Sequence, residues 1–246
     1  MGNGNADRGG ILILGGTGEA RALAAALVAR GHEVTTSLAG RTSAPSLPAG
    51  AVRSGGFGGA EGLAAYLAAQ RPHLVIDATH PFAARISANA AAACRRTGTP
   101  LVRLERPAWS APPDHPWIEV ATIEAAAAIL PSGATGFLSI GRQELAPFFS
   151  RPDCRFVARM IEVPSGLPAD WTAIAARGPF SRDDERALFS ARGITHLVSK
   201  NSGGDQTHAK LDAAADLGIA VIMVARPPLP PVRSFSSVAA LLADLI

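Results

Sequence analysis

Two stretches of this sequence combine residue types and spacings that suit a charged ligand. In ILILGGTGEARAL, which begins at Ile11, Gly15, Gly16, Thr17, Gly18 and Glu19 separate a short apolar run from an amphipathic stretch carrying Leu23 and Leu27. Glycines between a strand and a helix let backbone amides close on a pyrophosphate, whose charge the helix N-terminus meets. The spacing departs from G-x-G-x-x-G, because Arg21 stands where the third glycine falls if Gly16 is the first. Its place on the first strand of a βαβ unit favours a dinucleotide over a turn that is merely tight.

LVSKNSGGDQTHAK, which begins at Leu197, holds the chain's only lysines, Lys200 and Lys210; every other strongly basic residue is arginine. A chain that writes arginine wherever any cation serves keeps lysine where a compact ammonium is required. Lys200 ends an apolar run, and Asn201, Ser202, Gly203 and Gly204 follow with amides and a hydroxyl. Lys210 lies one turn into the next expected helix, which Thr207 or Asp205 could cap.

Two further strand ends bear on the cofactor. After EVTTSL the chain continues AGRTS, where Gly40, Arg41 and Thr42 offer close backbone approach, a guanidinium and a hydroxyl, with no carboxylate. A cation at this place suits the 2′-phosphate of NADP(H), whereas NAD enzymes carry an acid for the ribose hydroxyl. In HLVIDATHPFAARISANA, Thr79 and His80 follow a strand at the end expected to face the nicotinamide, and a histidine there can donate a proton. Asp77 is open to two readings, a direct role or an acceptor for backbone amides.

The elements that must position these residues alternate between short apolar runs and Ala-rich helical stretches, which argues for parallel sheets covered on both faces. The first half reads as strands at 10–14, 33–38, 73–78 and 100–104 with helices at 18–30, 60–70 and 82–97. After the Pro-rich stretch 105–117, taken as an inter-domain connection, strands are expected at WIEVA, 136–140, 155–161, 172–176, 196–200 and 219–225. Helices are expected at 122–130, 142–149, 181–192 and 207–217, with a last one over SSVAALLADLI. The fold class is α/β: two Rossmann-like domains, 10–106 for the cofactor and 117–246 for the substrate, with a cleft between them and a loose tail at 1–9. Open sheets of this kind bind ligands beyond the carboxyl ends of their strands.

Bulk properties exclude several classes. A net charge of +3 with a pI near 9.4 comes from scattered arginines and leaves no nucleic-acid stripe. No segment has the roughly 20 apolar residues of a membrane span, and MGNGNADRGG lacks the apolar core of a signal peptide. Cys94 and Cys154 are too few for a disulfide framework, which fits a cytoplasmic setting, and Cys94 reads as a buried helical thiol. The scattered histidines show no metal-ligand spacing. A short-chain dehydrogenase needs a Tyr-x-x-x-Lys pair, but the only tyrosine is Tyr66 and residue 70 is Gln70.

GGTGEAR, DATHPFA followed by S-x-N-A, RLERPAW, ARGPFS and VSKNSGGDQTHAKLDAA occur in this order, so residues 11 to 227 resemble the precorrin-6A reductases of cobalamin biosynthesis, including the cobalt-precorrin-6A enzymes. The resemblance implies an NADPH-dependent reduction of one macrocycle double bond of precorrin-6A, with hydride delivered to C19 and a proton to C18. It implies Rossmann-like domains with cofactor and substrate between them. A substrate with many acetate and propionate arms needs spaced donors, and Arg106, Arg142 and Ser181 join Lys200, Asn201, Ser202, Gly203 and Lys210 in that expected role. His80 and Lys200 are the catalytic candidates, with solvent as a third proton source. A catalytically silent NADP(H)-sensing module is the alternative, and it has no use for the Lys200 loop.

Overall fold

The computed structural model describes residues 9–40 and 46–245. In chain order the elements are β1 (Ile11–Leu14), α1 (Gly18–Ala29), β2 (Val34–Leu38), β3 (Ala51–Ser54), α2 (Gly59–Gln70), β4 (Leu74–Asp77), α3 (Ala84–Thr97) and β5 (Leu101–Leu104). Then come β6 (Ile118–Val120), α4 (Ile123–Ile129), β7 (Thr135–Ser139), β8 (Arg155–Met160), β9 (Thr172–Ala175), α5 (Arg182–Ala191), β10 (His196–Lys200), α6 (Ala209–Asp216) and β11 (Ala220–Val224). The chain ends with β12 (Arg233–Phe235) and α7 (Val238–Asp244).

The α/β expectation holds, with two six-stranded sheets in the orders β12-β5-β4-β1-β2-β3 and β6-β11-β10-β7-β8-β9. Every strand pairing is parallel. Parallel strands are buried on both faces, and β1 shows why its sequence is apolar throughout. Ile11 and Ile13 pack with Leu23 and Leu27 of α1 and Leu241 of α7, while Leu12 and Leu14 pack with Leu63 and Leu67 of α2 and Cys94 of α3. In the second sheet Phe137, Leu197 and Val221 meet Phe189 of α5 and Leu211 of α6.

The domain boundaries differ from the sequence expectation. One unit comprises the residues up to Arg106 together with those from Pro227 on; the other is Pro107–Arg226. The cause is an exchange of edge strands: β6 follows β5 in the chain but pairs with β11, and β12 follows β11 but pairs with β5. Residues 227–245 therefore belong with the first sheet, where Leu241 and Leu242 join its core. The Pro-rich stretch is not a free connection either, since Trp109 and Trp117 pack on the core of the second unit.

Two strands, β3 and β12, went unforeseen. Both are short edge strands with mostly exposed side chains, so neither shows the apolar run that betrays a central strand. The helix expected at 142–149 is instead two 3-10 turns, Arg142–Glu144 and Ala146–Ser150. Pro147 supplies no amide there and interrupts α-helical bonding. No described helix is long and apolar enough to cross a membrane.

Cys94 sits 4% exposed under α2, and burial pushes its thiol up to about 11. At pH 8 roughly one thiol in a thousand is then ionised, and the thiolate is the reactive form. A charged alkylating reagent at pH 8 should leave Cys94 unmodified in the native protein and label it after denaturation. Peptide mass spectrometry checks this, and rapid native labelling would refute the burial.

Candidate functional site

In an open parallel sheet the strand order reverses at one point, and ligands bind beyond the carboxyl ends there. In the first sheet that point lies between β4 and β1, so the Gly15–Gly18 turn and the Thr79–His80 loop leave adjacent strands. The Gly15 amide donates to the Ser37 carbonyl at 2.9 Å, and a Cβ at Gly15 would lie 2.7 Å from Thr36 Cγ2. Only glycine lets the turn lie this close to β2. Gly16 has φ +113° and nothing within 4 Å of a built Cβ, so the turn opens outward at the head of the 12-residue α1. Backbone amides at such a head attract an anion.

Thr17 is used differently from the expectation. Its buried hydroxyl accepts from the Ala20 amide at 3.0 Å and donates to the Ala78 carbonyl at 2.9 Å. It caps α1 and ties the turn to the end of β4, which leaves only its backbone for a ligand. Glu19 receives the Arg106 guanidinium at 2.8 Å. Arg106, expected among the substrate residues, thus stands beside the glycine turn of the first unit, paired with a residue 87 positions away.

The two readings of Asp77 resolve in favour of structure. Its carboxylate is 2% exposed and accepts from Thr79 Oγ1 at 2.7 Å, the Thr79 amide at 3.3 Å and Arg103 Nε at 3.3 Å. Arg103 also donates through Nη1 to the Pro230 carbonyl at 3.1 Å, which fastens the returning chain to the strand that carries the loop. His80 is half-buried, and its Nδ1 accepts from the Phe82 amide at 3.3 Å. A neutral ring that accepts at Nδ1 carries its proton on Nε2.

Gly40, with φ +70°, follows β2 as expected. Arg41 and Thr42 lie outside the described residues. A cation the sequence reading passed over, Arg53, ends up beside the same strand. It donates to Ser37 Oγ at 2.7 Å and to the carbonyls of Gly55 and Gly56 at 3.0 and 3.2 Å. Its strand was itself unforeseen, so nothing placed it next to β2.

In the second sheet the order reverses between β10 and β7. Lys200 closes β10, and its ammonium meets Glu144, from the 3-10 turn after β7, at 2.7 and 3.0 Å. Gly141 donates its amide to the same carboxylate at 3.1 Å. Both side chains stay in touch with solvent, 15% for Lys200 and 32% for Glu144. Glu144 was missed because only the tertiary pairing of β7 with β10 brings it to Lys200. Arg142, in the same turn, pairs with Glu162 at 2.6 Å.

The rest of the expected substrate set makes contacts within the second unit. Lys210 is 4% exposed, donates to the Thr207 carbonyl at 2.7 Å and lies 4.7 Å from the Trp109 ring centre, so it braces the loop. Asn201 accepts from the Trp109 amide at 2.8 Å and donates to the Trp109 carbonyl at 2.9 Å. Arg226 holds the Asn201 and Ser202 carbonyls at 2.9 and 3.1 Å. At Gly203, φ is +70° and a Cβ would fall 2.1 Å from the Pro107 carbonyl oxygen, so this glycine serves packing. Ser181 caps α5, accepting from the Asp184 amide at 3.1 Å and donating to its carboxylate at 2.7 Å. The Ser202 amide donates to the Lys200 carbonyl at 2.6 Å, so Lys200 is the member of the expected set that this loop keeps in touch with solvent.

Asn201→Ala should cost about 1–3 kcal/mol, because both partners on the Trp109 backbone lose their bonds where water replaces them poorly. A urea midpoint within error of the wild type would show that Asn201 does not hold the loop.

The sequence matches the family described as Precorrin-6x reductase CbiJ/CobK over residues 10–245. It is 54% identical to the precorrin-6A reductase of Rhodococcus erythropolis over 224 residues, 90% of each chain. It is 46% identical to that of Rhodobacter capsulatus over 223 residues, 89% of each. The cobalt-precorrin-6A reductase of Priestia megaterium is 31% identical over 233 residues, 89% of this chain and 91% of that one. The solved structure of a CobK precorrin-6A reductase superposes with a TM-score of 0.91 at 42% identity, covering 96% of this chain and 95% of that one.

Proposed function

The chain belongs to the precorrin-6x reductase family, and from that premise we propose that it reduces one double bond of precorrin-6A with NADPH, giving precorrin-6B in cobalamin biosynthesis. In this reading hydride passes to C19 and a proton to C18, and NADP⁺ leaves. Metal-free precorrin-6A is the proposed substrate, since the more similar of the relatives described above carry the metal-free name.

The observation that carries the cofactor reading is the outward-opening turn at Gly16, heading α1 at the reversal point of a parallel sheet. This cradle fits a pyrophosphate: Gly16, Thr17 and Gly18 would hold it through backbone amides, and Gly15, whose own amide is given to Ser37, would let the turn lie close to β2. Gly40, Arg41 and Thr42 would meet the 2′-phosphate, and Thr79 and His80 the nicotinamide end. When bound, the dihydronicotinamide supplies the hydride. The protein's own part is placement and charge. Lys200 would grip a carboxylate arm of the macrocycle, with Arg142 nearby in the turn after β7. His80, Lys200 and solvent are the proposed sources of the proton that reaches the ring carbon.

Anaerobic incubation of the protein with precorrin-6A and NADPH tests this directly. Loss of nicotinamide absorbance together with a change in the macrocycle spectrum is expected, faster with the metal-free substrate than with its cobalt form. No oxidation of NADPH with either substrate defeats the assignment, and binding without turnover would favour the sensor.

A further inference from the structure

Arg53 ends up where a phosphate would need it, and the function above leaves it unused. The strand register sets Leu14 of β1 beside Ser37 of β2 and Ser37 beside Arg53 of β3. Arg53 therefore stands level with the start of the glycine turn, two strand spacings away, roughly 10 Å. That is the scale of a ribose bearing phosphates at its 5′ and 2′ oxygens. The chains leaving β2 and β3 converge there, a Cβ on Gly40 lying 3.6 Å from the Gly55 nitrogen.

Its electrostatic setting differs from that of four other buried or half-buried arginines. Arg103, Arg106, Arg151 and Arg159 each face a carboxylate. Arg53 is anchored by neutral groups alone, a hydroxyl and two carbonyls, with the Phe57 ring centre 3.8 Å from its Cζ. A guanidinium has five N–H donors. Three are used, and among the described residues Nε–H and the second Nη2–H have no acceptor. Nε and Nη2 are the pair through which Arg182 grips Asp216 side-on. A half-buried cation without a counter-charge, already held in one orientation, gains most from an anion that arrives with a ligand, because its ordering cost is met before binding.

We infer that Arg53 grips the 2′-phosphate of the adenine ribose and so helps to distinguish NADPH from NADH. The inference rests on the dinucleotide reading proposed above. Ser37 and the Gly55–Gly56 carbonyls aim the fork, and Phe57 supports its flat face.

Calorimetric titration of the full chain with 2′,5′-ADP and 5′-AMP, and with NADPH and NADH, tests this without catalysis. The wild type should prefer the 2′-phosphorylated member of each pair, and Arg53→Gln should cut that preference by about 10- to 100-fold, the value of a charge-assisted contact. Affinity for 5′-AMP and NADH should stay within about twofold. Arg53→Lys keeps the charge but not the fork, and should retain part of the preference; it serves if the glutamine variant does not fold. An equal loss for both members of a pair would mean that Arg53 only builds the loop, and an unchanged preference would pass the role to another cation such as Arg41. Either result overturns the inference while leaving NADPH as cofactor. A wild type that binds both members equally instead removes the NADPH reading itself.

Discussion

Lys200→Met should lower kcat/KM for precorrin-6A by about 100-fold while leaving the Kd for NADPH within about twofold. Methionine keeps the length of the side chain and removes the ammonium that sits 2.7 and 3.0 Å from the two Glu144 oxygens. Two losses combine. A charge-assisted contact to a substrate carboxylate contributes about 1.5–3 kcal/mol. Glu144, still held by the Gly141 amide at 3.1 Å, would then face an incoming carboxylate with no cation between them. Adding Glu144→Gln to Lys200→Met should therefore recover part of the loss, about fivefold to tenfold, by removing the repulsion. A single variant within twofold of the wild type would end the substrate role of Lys200, and a double variant no better than the single would show that Glu144 does not face the substrate. Steady-state kinetics with both variants, alongside calorimetric NADPH titration, separates these results.

Arg103→Met should destabilise the fold by about 3–5 kcal/mol, the usual cost of stranding one member of a buried ion pair. Arg103 and Asp77 are 7% and 2% exposed, and no described cation other than Arg103 pairs with Asp77. The same change frees the Pro230 carbonyl that Arg103 Nη1 holds at 3.1 Å, so the returning β12 segment loses its fastening. Replacing both partners, Asp77→Leu with Arg103→Met, should cost less than the single change, because no charge is then left buried. The double variant should still bind NADPH more weakly than the wild type, since Asp77 accepts the Thr79 hydroxyl and amide that set the loop before His80. Urea unfolding measures the first effect. A single variant within 1 kcal/mol of the wild type would show that the pair contributes little.

The sequence carried the central strands and the glycine turn because their signals are local. Four apolar residues in a row at β1, glycines directly after them and a helix-period stretch beyond follow from burial on both faces and from a backbone that must turn without a Cβ. The same holds for β10 and its Asn-Ser-Gly-Gly loop. What it left open was which partner each polar side chain finds. Lys210 and Asn201 stand in a loop rich in donors, and both spend those donors on Thr207 and Trp109 inside the second unit. Ser181 reads equally well as a ligand hydroxyl and as a helix cap, and the Asp184 amide three residues on makes it the cap.

By itself, then, the order of residues determined an α/β chain with two parallel sheets, the strands after which functional groups had to come, and a resemblance that named a family. Tertiary structure alone decided which residues share a strand end. Glu144 reaches Lys200 only because β7 lies next to β10, Arg53 reaches Ser37 only because an inconspicuous edge strand pairs with β2, and residues 227–245 join the first sheet only because β12 pairs with β5. The reason is physical: hydrophobic period and turn chemistry act over a few residues, whereas ion pairs and edge pairings act across dozens, and nothing in the local pattern records their partners.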